Sequence, residues 1–146
     1  MSNILRKYLR SLNKINNLDA TEYTYRTQLE VFLNEYLDKH FKKKKINIIH
    51  EASRIKKKGP DYQIKDNNAL LGVIETKELN SNLEKFIKTK QIKEDYSKIS
   101  KNILLTNYQD FILIKDGNNF KVSSKNLNND IDEYNKNLFE ILEIFF

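Results

Sequence analysis

The sequence predicts an α/β fold, a mixed β-sheet flanked by α-helices, on three observations. Two amphipathic helical segments open the chain, short β-type runs fill its middle, and a strongly amphipathic helix closes it. In the first segment, Ile4, Leu5, Tyr8, Leu9, Leu12 and Ile15 recur at helical spacing and stop at Asn16-Asn17. Asp19 and Glu22, three apart, then read as a capping pair. Behind them Tyr25, Leu29, Phe32, Leu33, Tyr36 and Leu37 form an apolar stripe that ends in the lysine run 42–45.

Residues 46–51 are an apolar run too short for a helix and read as a strand. Gly59-Pro60 forces a turn. Strands at 61–65 and 70–77 follow, joined by a turn at Asn67-Asn68. Residues 82–98 tend to helix, although the stripe of Leu83, Phe86 and Ile87 fades along them. Strands at 103–106 and 111–115 come next, and Asp116-Gly117 turns the chain into a short strand at 120–122. The last helix places Ile131, Tyr134, Leu138, Ile141, Leu142 and Phe145 on one face.

The chain has 146 residues, which by length alone suggests one domain. Within it the expected parts are an N-terminal helix over 1–18, a core over 19–122 and a C-terminal helix over 130–146. No run of about 18 apolar residues is present, so no membrane partner is expected. Cys is absent, which removes disulfide scaffolds, zinc-thiolate sites and thiol catalysis together. Only His40 and His50 could supply imidazole, so any metal must be held mainly by oxygen, which suits magnesium or manganese. The net charge of +6 favours a polyanionic partner, and it fits a membrane surface or simple solubility as well.

The chemistry-bearing residues lie on the strand at 70–77. Side chains two apart share a face of a strand, so Glu75 and Lys77 project together. Burying such charges at the end of an apolar strand is costly unless they pair or meet a metal. Counting outward from the Asn67-Asn68 turn sets Asp61 opposite position 74 or 75. Asp61, Glu75 and the carbonyl of Thr76 then offer an all-oxygen site for magnesium. A lysine beside such a site can orient or deprotonate a water, or stabilise a crowded phosphate electrostatically.

Gly59-Pro60-Asp61 followed by Ile74-Glu75-Thr76-Lys77 resembles the PD-(D/E)xK nuclease superfamily. Thirteen residues separate Asp61 from Glu75, inside that family's range. Glu75-Thr76-Lys77 is the only acid-x-Lys triplet in the chain, and Pro60 is its only proline. The stretch from Glu51 through Arg54 and residues 72–77 to residues 102–108 and Phe111 resembles one subgroup more closely. That subgroup is the N-terminal nuclease domain of single-polypeptide, type I-like restriction–modification enzymes. Glu22-x-x-x-Arg26-x-x-Leu29 resembles the opening helix of type I restriction subunits.

The resemblance implies a restriction-endonuclease-like core and a cytoplasmic endonuclease that hydrolyses phosphodiester bonds in double-stranded DNA. It implies Mg2+, with Mn2+ substituting, and helicase/translocase and methyltransferase domains in the same chain or complex. Asp61 and Glu75 would be metal ligands and Lys77 would act on water, with Glu22 and Glu51 as supporting catalytic candidates. Relatives carry a glutamine followed four positions later by tyrosine, whereas here Gln91 and Tyr96 stand five apart.

Simpler readings exist for each. Asp61 could be a turn residue, Glu75 and Lys77 a surface ion pair, Glu22 the partner of the Asp19 cap, and Glu51 a solvated edge residue. Lys42, Lys43, Lys44, Lys45, Lys56, Lys57 and Lys58 are solvated loops or grips on DNA phosphates. Lys85, Lys88 and Lys93 could add to that grip. The rival functions are a resolvase- or repair-type nuclease and a catalytically silent DNA-binding module of the same fold.

Overall fold

A computed structural model describes residues 3–16, 22–42, 44–50, 59–126 and 130–146. The chain divides into two compact units, Met1–Lys45 and Ile46–Phe146, and the division falls inside the stretch expected as a single core over 19–122.

The first unit is a helical pair, α1 (Asn3–Asn16) and α2 (Glu22–His40). The stripe read from the sequence is its interior: Leu5, Tyr8, Leu12 and Ile15 of α1 are buried, as are Leu29, Phe32, Leu33, Tyr36 and Leu37 of α2. Tyr8 stacks on Phe32 with ring centroids 4.5 Å apart, tying the two helices together. The expected Asp19 cap lies outside the described residues.

The second unit carries one six-stranded sheet whose spatial order follows the chain: β1 (Ile46–His50), β2 (Tyr62–Asp66), β3 (Ala69–Thr76), β4 (Asn102–Thr106), β5 (Phe111–Lys115) and β6 (Asn118–Val122). Every neighbouring pair is antiparallel except β3 and β4, so the sheet is mixed, as the sequence predicts. Both two-residue hairpins use left-handed backbone. Asn67 (φ 58°) turns β2 into β3, and Asp116 (φ 51°) with Gly117 (φ 83°) turns β5 into β6.

Helices cover both faces. On one, Val73, Ile103, Leu105 and Ile112 pack against Leu83, Ile92 and Tyr96 from the β3–β4 crossover. On the other lies α5 (Ile131–Phe145), started by Asp130, whose side chain accepts from the Glu133 N–H at 3.0 Å. At its far end the Phe145 carbonyl accepts from Asn102 Nδ2 at 2.7 Å. Gly72 makes this closeness possible, because a Cβ there would come within 2.8 Å of Asn102 and of the Phe145 ring. Gly72→Ala is expected to destabilise the protein by about 1–3 kcal/mol through this overpacking. A lower urea midpoint with unchanged slope would show it.

The helix expected over 82–98 is instead broken. It comprises α3 (Glu84–Ile87), a π-helical turn (Gln91–Tyr96) and α4 (Ser97–Ile99). Between the first two, Thr89 Oγ1 donates back to the Phe86 carbonyl at 2.7 Å, diverting an acceptor from the regular ladder. No helix among the described residues is long and apolar enough to cross a membrane.

Candidate active site

The β2–β3 hairpin sets the site through its register. Asp66 pairs with Ala69, and regular pairing from there would put position 61 opposite 74. A bulge intervenes: Lys65 pairs with Leu70 but Ile64 with Gly72, which leaves Leu71 as the extra residue. Beyond it Tyr62 pairs with Ile74, and one further step brings Asp61 level with Glu75. A one-residue slip exchanges the two faces of a strand. The bulge therefore puts the two carboxylates on one face, the face that also carries Val73.

Both carboxylates are buried, Asp61 at 1% and Glu75 at 4% exposure. Asp61 Oδ2 accepts from the Thr76 N–H and from Thr76 Oγ1, each at 2.8 Å. Thr76 thus serves here as the donor that fixes Asp61, while its expected part was to offer a carbonyl. The Tyr96 hydroxyl donates to Glu75 Oε2 at 2.5 Å and lies 3.1 Å from the Gly59 carbonyl oxygen. Burial first, and then the adjacent Asp61 by hydrogen bond and by charge, push the Glu75 carboxyl up to about 8, against the lowering effect of Tyr96 and Lys77. The same burial, with Glu75 beside it, raises the Tyr96 hydroxyl well above the usual phenol range.

Lys77 shares the face of Glu75, its Nζ 3.9 Å from Glu75 Oε2. It also lies over the Phe86 ring, 4.5 Å from the centroid, so an aromatic face from α3 holds the ammonium in place. The Lys77 N–H donates to the Thr106 carbonyl at 2.8 Å, anchoring the end of β3 to β4.

Asp61, Glu75, Thr76 and Lys77 are thus brought together as the sequence leads one to expect. Two participants were not read from it, Tyr96 and Phe86. The signal for Tyr96 was the five-residue offset from Gln91. Residues five apart lie about 140° apart around an α-helix, but i→i+5 hydrogen bonding in a π turn brings them to one side. Gln91–Tyr96 is such a π turn.

The structure does not bring the remaining candidates into this cluster of described residues. Glu51, Lys43, Lys56, Lys57 and Lys58 lie outside the described residues, as does the side chain of Glu22, which opens α2. Lys42, Lys44 and Lys45 are exposed in the first unit, with Lys44 over the Phe41 ring at 5.3 Å. Lys85, Lys88 and Lys93 are exposed on the crossover.

The donor set bears on the metal. Among the described residues no group of three acidic or histidine side chains forms a cage. Magnesium is commonly held by one or two carboxylates and otherwise keeps water and phosphate oxygens, so the Asp61–Glu75 pair fits it. Two buried carboxylates in hydrogen-bond contact are poorly tolerated as a doubly charged pair, and a cation relieves that conflict.

The raised Glu75 carboxyl fixes the sign of a pH dependence. Between its ordinary value of 4.5 and about 8 the folded chain holds a proton that the unfolded chain has released. Stability of the metal-free protein should therefore fall as pH rises through that window. Urea midpoints at pH 5 and pH 8 in chelator should differ in that direction for wild type, and the difference should shrink in Glu75→Gln.

No protein-family model and no curated protein matches the chain. Its fold is similar to part of a solved structure, DrdV in complex with DNA determined by electron cryomicroscopy, with a TM-score of 0.68 and 19% sequence identity. The match covers 97% of this chain and 13% of that one, so the chain spans a small part of the length of the protein it resembles.

Proposed function

We propose that this chain is a divalent-metal-dependent endonuclease domain acting on double-stranded DNA, of the PD-(D/E)xK type. The observation that carries the reading is the buried Asp61–Glu75 carboxylate pair with Lys77 on the same face of β3. The fold is consistent with it, and the structurally similar DrdV is bound to DNA.

In this reading Asp61 and Glu75 hold Mg2+, with Mn2+ substituting. When bound, the cation neutralises charge on the phosphate and lowers the pKa of a water. The chain's own residues do the positioning. Thr76 fixes one oxygen of Asp61, Tyr96 fixes one of Glu75, and β4 anchors the strand end through the Thr106 carbonyl. Lys77 presents a cation to the reacting phosphate or its attacking water, restrained by Phe86 beneath it. Exposed Lys85, Lys88 and Lys93 supply non-specific contacts to the DNA backbone. Helicase/translocase and methyltransferase domains, which the sequence resemblance implies, are the proposed partners.

The test is nicking of supercoiled plasmid at high protein concentration with Mg2+ or Mn2+. Nicking that appears with metal and is abolished by chelator is the expected result. A wild-type protein that nicks under neither metal, even with its partner domains, would leave a DNA-binding module of the same fold.

A further inference from the structure

Helix α1 carries a basic face to which the proposed function gives no role. From Asn3 to Asn16 it contains Arg6, Lys7, Arg10 and Lys14 and no acidic residue. At 100° per residue the four cations fall within an arc of about 100°. That arc lies opposite the buried stripe of Leu5, Tyr8, Leu12 and Ile15. Lys7 Nζ reaches Glu35 Oε1 on α2 at 2.6 Å, an exposed pair of little strength. Among the described residues the side chains of Arg6, Arg10 and Lys14 have no hydrogen-bond or ion-pair partner, and all three are exposed.

A merely solvated helix face usually mixes both signs of charge. This one sets like charges four apart twice, Arg6 to Arg10 and Arg10 to Lys14, an arrangement that weakens a helix. A polyanion would reverse that penalty. Successive cations climb about 6 Å along the helix axis. Long side chains can match that rise to the phosphates of a duplex, which recur about every 3.4 Å along each strand. An anionic membrane fits less well. An interfacial helix must insert an apolar face, and the apolar face of α1 is spent on α2, with Tyr8 stacked on Phe32.

We infer that the Arg6–Arg10–Lys14 face of α1 is a second, sequence-independent contact for the phosphate backbone of duplex DNA. The inference rests on the nuclease reading for its choice of polyanion.

The experiment measures fluorescence anisotropy of a labelled 30-base-pair duplex against salt, in the full chain carrying Asp61→Asn so that DNA stays intact. Arg6→Gln/Arg10→Gln/Lys14→Gln is compared with a charge-matched control, Lys101→Gln/Lys125→Gln/Lys136→Gln, with circular dichroism to establish that each folds. Each lost phosphate contact should flatten the slope of log affinity against log salt by about 0.9. The α1 variant should therefore lose up to about 2.7 on every duplex sequence, and the control should keep the wild-type slope. An α1 variant with the wild-type slope, or one shifted no more than the control, overturns the inference. So does wild-type binding to phosphatidylserine vesicles that the α1 substitutions abolish while the DNA slope is unchanged. Failure of the nuclease reading is distinguishable, since it is read as absent metal-dependent nicking in a protein whose salt slope still responds to α1.

Discussion

Lys77→Ala is expected to slow magnesium-dependent plasmid nicking by about 10²–10³ while DNA and metal binding stay near wild type. The Lys77 ammonium is held by the Phe86 ring and by Glu75, with its side chain 21% exposed, so it is pre-placed beside the carboxylates and still reachable by a phosphate. A cation in that position gains most where charge builds on the phosphate, so its loss should appear in the rate and little in ground-state affinity. Single-turnover nicking set beside anisotropy titration separates the two. A loss of DNA affinity as large as the loss of rate would make Lys77 an ordinary phosphate contact.

Asp61→Asn should abolish metal binding without unfolding the chain. Asparagine keeps an oxygen that can accept from the Thr76 N–H and hydroxyl, so the local hydrogen bonds survive. What disappears is one of two buried carboxylates, and with it half of the anionic donor set. The metal-free variant should be at least as stable as wild type, because the charge that crowds Glu75 has gone. Asp61→Ala is a harsher change. It strands two donors on Thr76, and leaving a buried donor unsatisfied costs about 1–3 kcal/mol. Isothermal titration with Mn2+ should show binding by wild type and at least a tenfold loss in Asp61→Asn. Equal binding by the two would place the metal elsewhere.

Much of this was legible in the sequence because it rested on periodicity and punctuation. The α1 and α2 stripes, the α5 stripe apart from the exposed Ile131, and the Asp116-Gly117 turn appear where pattern places them. That Asp61, Glu75, Thr76 and Lys77 cluster was legible, and their register less so. Counting from the hairpin left Asp61 opposite 74 or 75; regular pairing favours 74, and only the bulge at Leu71 brings it to 75, since nothing in Leu70-Leu71-Gly72 signals which residue is left unpaired. Tyr96 was hidden for a related reason. A π turn is a one-residue insertion into a helix, and α-helical spacing sets its residues on the wrong side. Phe86 read as core, and it is partly so. Its second role as a seat for Lys77 depends on a contact across the crossover that no local pattern encodes.

The strand order carries a consequence for how the protein is built in time. The sheet is two antiparallel meanders, β1–β2–β3 and β4–β5–β6, sewn by one parallel seam where Val73 meets Ile103, 30 residues away. Hairpin pairings close short loops and form early, whereas the seam must await the whole crossover. Asp61 and Glu75 come together within the first meander, but Tyr96 and Phe86 ride on the crossover itself. The carboxylate pair is therefore expected to form before its own supports during folding. For the same reason, a brief detachment of the crossover would take Tyr96 and Phe86 away from Glu75 and Lys77 while both meanders stay intact.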